Sequence, residues 1–203
     1  MATTTNASDT ELSAVNSILG AIGQAPITVL NFQNPEIAYI YNIFEEVIKD
    51  VLNEGWHFNT EEGLPRQPDG NKNITIPTNY LRYDLNDNMA DRQMDLVKRG
   101  NKLYDKVNHT DEFDSELKLD VVYMVTFVDI PSAFQRYIVA KASTRAATQL
   151  VTNPQLVKLL QQQEVLARAT MMEYETQQGD HSFFGWPDNS VYRAYQPYKS
   201  LIR

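Results

Sequence analysis

Apolar residues recur at three-four spacing in four stretches of this chain and alternate in another, and that contrast predicts most of its architecture. In the first stretch Leu12, Val15, Ile18, Leu19 and Ile22 fall on one helical face. Ser8 and Glu11 stand ahead of it at capping-box spacing, and Gly23 is placed to end it. In the second, Ile37, Ile40, Tyr41, Phe44, Val47, Ile48 and Val51 follow the repeat closely. Asn34 is its expected cap, Pro35 suits its first turn, and Gly55 stops it. A third helix opens at Pro131 and runs to about Val151, with Phe134, Ile138, Ala142, Ala146 and Leu150 on a face whose small residues permit close helix contact. Asn153-Pro154 repeats the signal of a cap followed by proline. The fourth helix is expected to reach about Gln177, with Leu156, Leu159, Leu160, Leu166, Ala169 and Met172 turned inward and Gly179 ending it. The short 152–154 link makes the last two helices antiparallel neighbours.

Between Trp56 and about Pro131 the pattern changes: Gly, Pro and Asn recur and the apolar groups shorten. Residues 63–72, "GLPRQPDGNK", read as a loop, and residues 73–77 and 92–99 as strands. Gly100-Asn101 suits a two-residue hairpin turn with glycine first, leading to a return strand at 102–107. The clearest strand is 117–127, with Leu117, Leu119, Val121, Tyr123, Val125 and Phe127 on one face and Lys118, Asp120 and Thr126 on the other.

The expected fold class is therefore α+β: an antiparallel bundle of about four helices, a β-rich insertion between the second and third, and an extended C-terminal tail. The expected organisation is a disordered segment at 1–8, a bundle from 9–55 plus 131–179, the insertion at 56–130 and the tail at 180–203. No internal repeat is visible.

Composition narrows the function. A 203-residue chain with 42% hydrophobic residues supports a real core. The net charge of −8 argues against a dedicated binder of nucleic acid or anionic membrane, which needs clustered Lys and Arg. The absence of cysteine removes disulfides, thiol catalysis and thiolate metal sites. No apolar run approaches the roughly 18 residues of a membrane span, and "MATTTNASDT" has no apolar signal core, so no membrane partner is expected.

Candidate chemistry is sparse. None of His57, His109 and His181 lies three or four residues from another, so no helical pair offers a metal site. His57, between Trp56 and Phe58, reads as a strand-edge residue. Carboxylates gather at Asp84, Asp87 and Asp91 and at Asp111, Glu112 and Asp114. The run from Asp84 begins like a calcium loop, but it carries Met89 where the turn needs glycine and Asp95 where a bidentate Glu belongs. There is no phosphate-binding glycine loop, nucleophile elbow or dinucleotide fingerprint. No cofactor, metal or catalytic residue is expected. Lys98, Arg99 and Lys102 flank the hairpin turn, while Arg136, Lys141, Arg145 and Arg168 are spread over the last two helices. They read as a solvated face or as ion pairs across a subunit boundary rather than as a nucleic-acid reader.

Five phrases, in order along nearly the whole chain, resemble a known family: "ELSAVNSILGAIGQAPI" (11–27), "GWHFNTEEG" (55–63), "DEFDSELKL" (111–119), "FQRYIVAKAS" (134–143) and "MMEYETQQGD" (171–180). They are similar to tail tubular protein A, the head-to-tail adaptor of short-tailed, podovirus-type bacteriophages. The match is weakest at 64–110 and 183–203. The resemblance implies a structural, non-enzymatic virion protein of the tail, assembled in the host cytoplasm. It implies a twelve-copy ring beneath the portal protein that extends the DNA channel and carries the tail nozzle and tail fibre proteins. Genomic DNA would pass without sequence-specific contact, and a negative or mixed wall lets it slide where a basic wall would grip. On that reading Phe183, Phe184, Trp186, Tyr192, Tyr195 and Tyr198, which follow neither helical nor strand spacing, are candidate interface anchors on a neighbour or the portal. The alternative is a satellite cluster folded over their own bundle. Two other functions stay open on the residues alone: a small metal-dependent hydrolase working through the acidic clusters, and a DNA-binding packaging or ejection factor.

Overall fold

A computed structural model describes residues 10–86, 94–151 and 153–178. Four helices and five antiparallel strands make it a mixed α+β protein. The expected capping Ser8 and the 1–8 segment lie outside the described residues. Helix α1 (Glu11–Ala21) is capped instead by Thr10, whose side chain accepts from the Ser13 N–H at 3.3 Å. Its end is the glycine motif the sequence indicates: Gly23 N–H bonds the Gly20 carbonyl and Gln24 N–H the Leu19 carbonyl. Helix α2 (Pro35–Leu52) starts as expected, with Asn34 accepting from the Glu36 N–H at 3.0 Å. It buries one long stripe, including Ile40, Phe44, Val47 and Val51, each of which contributes about 1.5–3 kcal/mol. Tyr41, half-buried, donates to Glu11 and so ties α2 to α1.

Helix α3 (Ser132–Leu150) lies against α1, α2 and α4 (Pro154–Gln178). Its Ala142, Ala146 and Ala147 are fully buried, and Ser143 and Thr144 satisfy their hydroxyls on carbonyls one turn back. Phe134 near the start of α3 meets Tyr174 near the end of α4, so the two run antiparallel as the short link predicts. Leu150, expected inward, is exposed, because it sits on the last turn of α3 where the bundle ends.

The β elements fall between α2 and α3. A three-stranded sheet has the order β1 (Thr60–Arg66), β5 (Leu117–Tyr123), β2 (Tyr80–Leu85). Strands β3 (Leu96–Arg99) and β4 (Lys102–Asp105) form a hairpin closed by Gly100 at φ +62°, the backbone region that favours glycine. Several expectations need correction here. Residues 63–66 are strand, not loop: β1 tolerates Pro65 because it is an edge strand, and a bulge between Glu61 and Leu64 absorbs the irregularity. Residues 73–77 make only the bridge Thr75↔Lys102, although Ile74 and Ile76 are buried as a strand face would be. Pro77 has no N–H to continue a ladder. The return strand stops at Asp105, and β5 stops at Tyr123. Phe127 lies in a 3-10 turn and packs with the helices rather than with Leu119 and Val121. His57 likewise opens a 3-10 turn, not a strand edge.

Two apolar cores result, one among the helices and one around β5. Asn59 joins them. It is buried, accepts from the Trp56 N–H at 2.8 Å, and donates to the carbonyls of Leu52 and Tyr123, both at 2.9 Å. Asp120 plays a similar part on the sheet, accepting from Gly63 N–H of β1 and from Asn86 beyond β2. Gly55 sits where α2 turns toward the sheet at φ +80°, the left-handed backbone region that favours glycine.

Acid sensitivity follows from the hairpin. Burial pushes the Asp105 carboxyl up, but N–H groups of Val107, Asn108 and Asp95 outweigh it and hold the group below its ordinary value. A depressed folded pKa adds stability that is fully present above the unfolded value of about 3.9 and is lost as pH falls through the folded one. Denaturant midpoints are therefore expected to fall below about pH 4. Asp105→Asn should be less stable at pH 7 and show a flatter acid limb; an unchanged limb would remove Asp105 as the cause.

Candidate assembly interface

The six aromatics proposed as anchors, Phe183, Phe184, Trp186, Tyr192, Tyr195 and Tyr198, lie outside the described residues. The informative surface within them is α4. This 25-residue helix packs chiefly on α3 and buries only Leu160, Met171 and Glu175. Leu159 and Leu166, expected inward, are 58% and 69% exposed. Met172 and Ala169, also expected inward, are exposed, and Leu156 is half-buried. Val165 joins them at 68%. A helix resting on one neighbour can bury one stripe of about 100°. At 100° per residue, Leu159 and Leu166 fall on one flank of the buried stripe, and Val165 and Met172 on the other. That spread is the signal the sequence carried, since a single packed face cannot accommodate residues on both flanks.

Beside Leu166 the surface opens into a groove of about 720 Å³ between α1 and α4, floored by α3. Its walls are small or apolar: Ala14 and Ser17 from α1, Ala140 and Ser143 from α3, Ala167 and Thr170 from α4. Ser17, Ser143 and Thr170 each donate their hydroxyl proton to the carbonyl four residues back, at 2.9, 2.8 and 3.2 Å. The lone pairs of these oxygens remain as acceptors. Arg136 lines the same groove, exposed, with no ion-pair partner among the described residues.

Several of the other cations have partners within the chain. Arg145 of α3 meets Asp50 at 2.7 Å and Glu46 at 3.5 Å on α2. Arg168 of α4 meets Glu54 at 3.4 Å and donates to the Tyr137 hydroxyl at 2.8 Å. Lys141 lies over the Tyr137 ring, and Arg99 over Tyr104. At the hairpin, Lys102 donates to Asn73 and lies 3.8 Å from Asp111, while Lys72 pairs with Asp114 at 2.7 Å. Both pairs are exposed and add little stability.

Among the described residues the acidic positions are not brought together as a site. Asp84 lies in β2, where its carboxylate accepts from Leu85 N–H, and Asn86 is hydrogen-bonded to Asp120. Asp87, Met89 and Asp91 lie outside the described residues, as does His181. Among the described residues, no three His, Asp or Glu side chains gather at metal-binding spacing. His109 stands exposed in a turn at φ 55°, and His57 gives its backbone N–H to Glu175 at 2.7 Å. No described helix is long and apolar enough to cross a membrane.

The described residues form a helical scaffold with unburied apolar flanks and an open groove, carrying a small sheet. The chain belongs to the tail tubular protein family, whose model matches residues 12–181. Tail tubular protein A of Klebsiella phage KP34 is 31% identical to it over 122 residues, 60% of this chain. The alignment spans 62% of that relative, less than two thirds of its length. The chain is thus a structural protein of a bacteriophage tail.

Proposed function

We propose that the chain is a head-to-tail adaptor: twelve copies form a ring that joins the portal protein to the tail nozzle and fibre proteins and continues the DNA channel. Residues 9–55 with 131–179 act as the ring-forming unit, residues 56–130 as a β-rich unit carried on it, and the aromatic tail at 180–203 as an anchor on neighbouring protein. Assembly takes place in the host cytoplasm. The chain catalyses no reaction, and DNA slides past a surface whose net charge of −8 does not hold phosphate.

The observation that carries this reading is the pair of unburied apolar flanks on α4. A ring gives such surface a partner in every copy, and modest contacts repeated around a closed axis make a durable assembly. Val165→Glu tests it. At a side chain this exposed, folding stability is expected to change by no more than about 0.5 kcal/mol. Ring formation with the portal, read by mass photometry, is expected to weaken at least tenfold, about 1.4 kcal/mol per contact. Wild-type-like rings from this variant would show that the flank carrying Val165 is not an interface.

A further inference from the structure

We propose that the groove between α1, α3 and α4 receives the aromatic segment beginning at Phe183 of a neighbouring copy. The inference rests on the ring assembly proposed above and names the two surfaces that meet in it.

The groove selects its occupant by chemistry. Its walls are largely small or apolar, and three of the hydroxyls among them, those of Ser17, Ser143 and Thr170, have given their protons to their own helices. What remains is an apolar slot edged with acceptors. The side chains that fit are flat and apolar with one donor at the tip: Trp through its N–H, and Tyr through its O–H. A volume of about 720 Å³ falls within the range of roughly 300–1,000 Å³ typical of binding pockets and has room for more than one aromatic ring. The chain carries flat apolar rings in Phe183, Phe184 and Trp186, of which Trp186 brings the N–H donor, with Asp180 and Asp188 on either side. Those carboxylates complement Arg136, the cation in the groove that no described acid neutralises.

Reach permits the contact. The 25 residues after Gln178 can extend about 80 Å at roughly 3.3 Å per residue, well beyond the bundle that carries them. Symmetry favours the neighbour. A ring of identical copies needs two different complementary surfaces on each, and a donated segment with a receiving groove is such a pair. The family match ends at residue 181, just before this segment.

The chain has no cysteine, so introduced thiols report on one contact alone. Ala140→Cys places a thiol in the groove, and Phe183→Cys, Phe184→Cys or Trp186→Cys places one in the segment. Full-length proteins of the two kinds are mixed, assembled with portal, treated with a short bis-maleimide and resolved by denaturing gel. Mass photometry of the same samples counts rings. The expected result is covalent pairs between the two kinds of chain, with a yield that drops at least tenfold when the groove is filled by Ser17→Phe or when Arg136→Glu reverses its charge. Rings that form without any cross-link would overturn the groove as the seat and leave the ring intact. In a further sample, a chain carrying both Ala140→Cys and Trp186→Cys, a link only within single chains would overturn the neighbour as the donor. Absence of rings in every sample, wild type included, would instead sink the ring assembly itself.

Discussion

Phe134→Ala is expected to lose about 3–5 kcal/mol of stability, the largest effect of any single substitution considered for this protein. The side chain is fully buried at the start of α3. Its ring lies 5.0 Å from Trp56, 4.8 Å from Phe58 and 6.2 Å from Tyr174, each edge-on. Those three partners come from the turn that leaves α2 and from the far end of α4. Truncation therefore opens a cavity where three separate parts of the chain meet, and the rigid helices around it cannot close on the void. For a chain of this size the loss corresponds to a fall in melting temperature on the order of 10 °C. Thermal unfolding followed by the far-ultraviolet circular dichroism of the helices reads it directly. A fall below about 1 kcal/mol would show that the aromatic cluster is not the centre of the bundle.

The second large effect is expected at the joint. Asn59→Leu keeps the volume but removes one acceptor and two donors from a buried position. The Trp56 N–H loses the bond it makes, and the carbonyls of Leu52 and Tyr123 each lose one. Leaving such groups unpaired costs about 1–3 kcal/mol each when nothing replaces the partner. The Leu52 carbonyl keeps a second donor in Gly55, which limits the sum to about 2–4 kcal/mol. The loss also has a location. Asn59 holds the end of α2 to the end of β5, so faster amide exchange is expected in β5 and the sheet before it appears in α2. Uniform acceleration across both cores would show that they open as one unit.

These two residues differ in how visible they were. Phe134 is legible because helical spacing places it in phase with Ile138 and Ala142. Asn59 is not. A polar residue in "GWHFNTEEG" carries no period, and its importance depends on a carbonyl 64 positions away. The four helices were readable because caps, prolines and glycines punctuate them: Asn34-Pro35, Gly23, Gly55 and Asn153-Pro154 all act as the sequence indicates. Strands β1 and β2 were not. Glycine and proline inside β1 mimic a loop, and only the pairing with β5 makes Glu61 to Arg66 a strand. Periodicity also misassigned α4, because it detects apolar residues without saying how many neighbours will cover them. Leu159 and Leu166 follow a helical repeat, but among the described residues no element lies over them. The aromatics expected to meet a neighbour lie outside the described residues. The receiving groove depends on three helices packing with Ala and Ser at their shared edge, which no single stretch reveals.

Copies of this chain are expected to join into a closed ring on the portal. Electron cryomicroscopy of the full-length chain mixed with its portal protein tests it most directly. The expected particles have twelve copies around one axis, with α4 covered on its outer flanks by the next copy. Portal particles without added density, with the chain remaining single in solution, would contradict it.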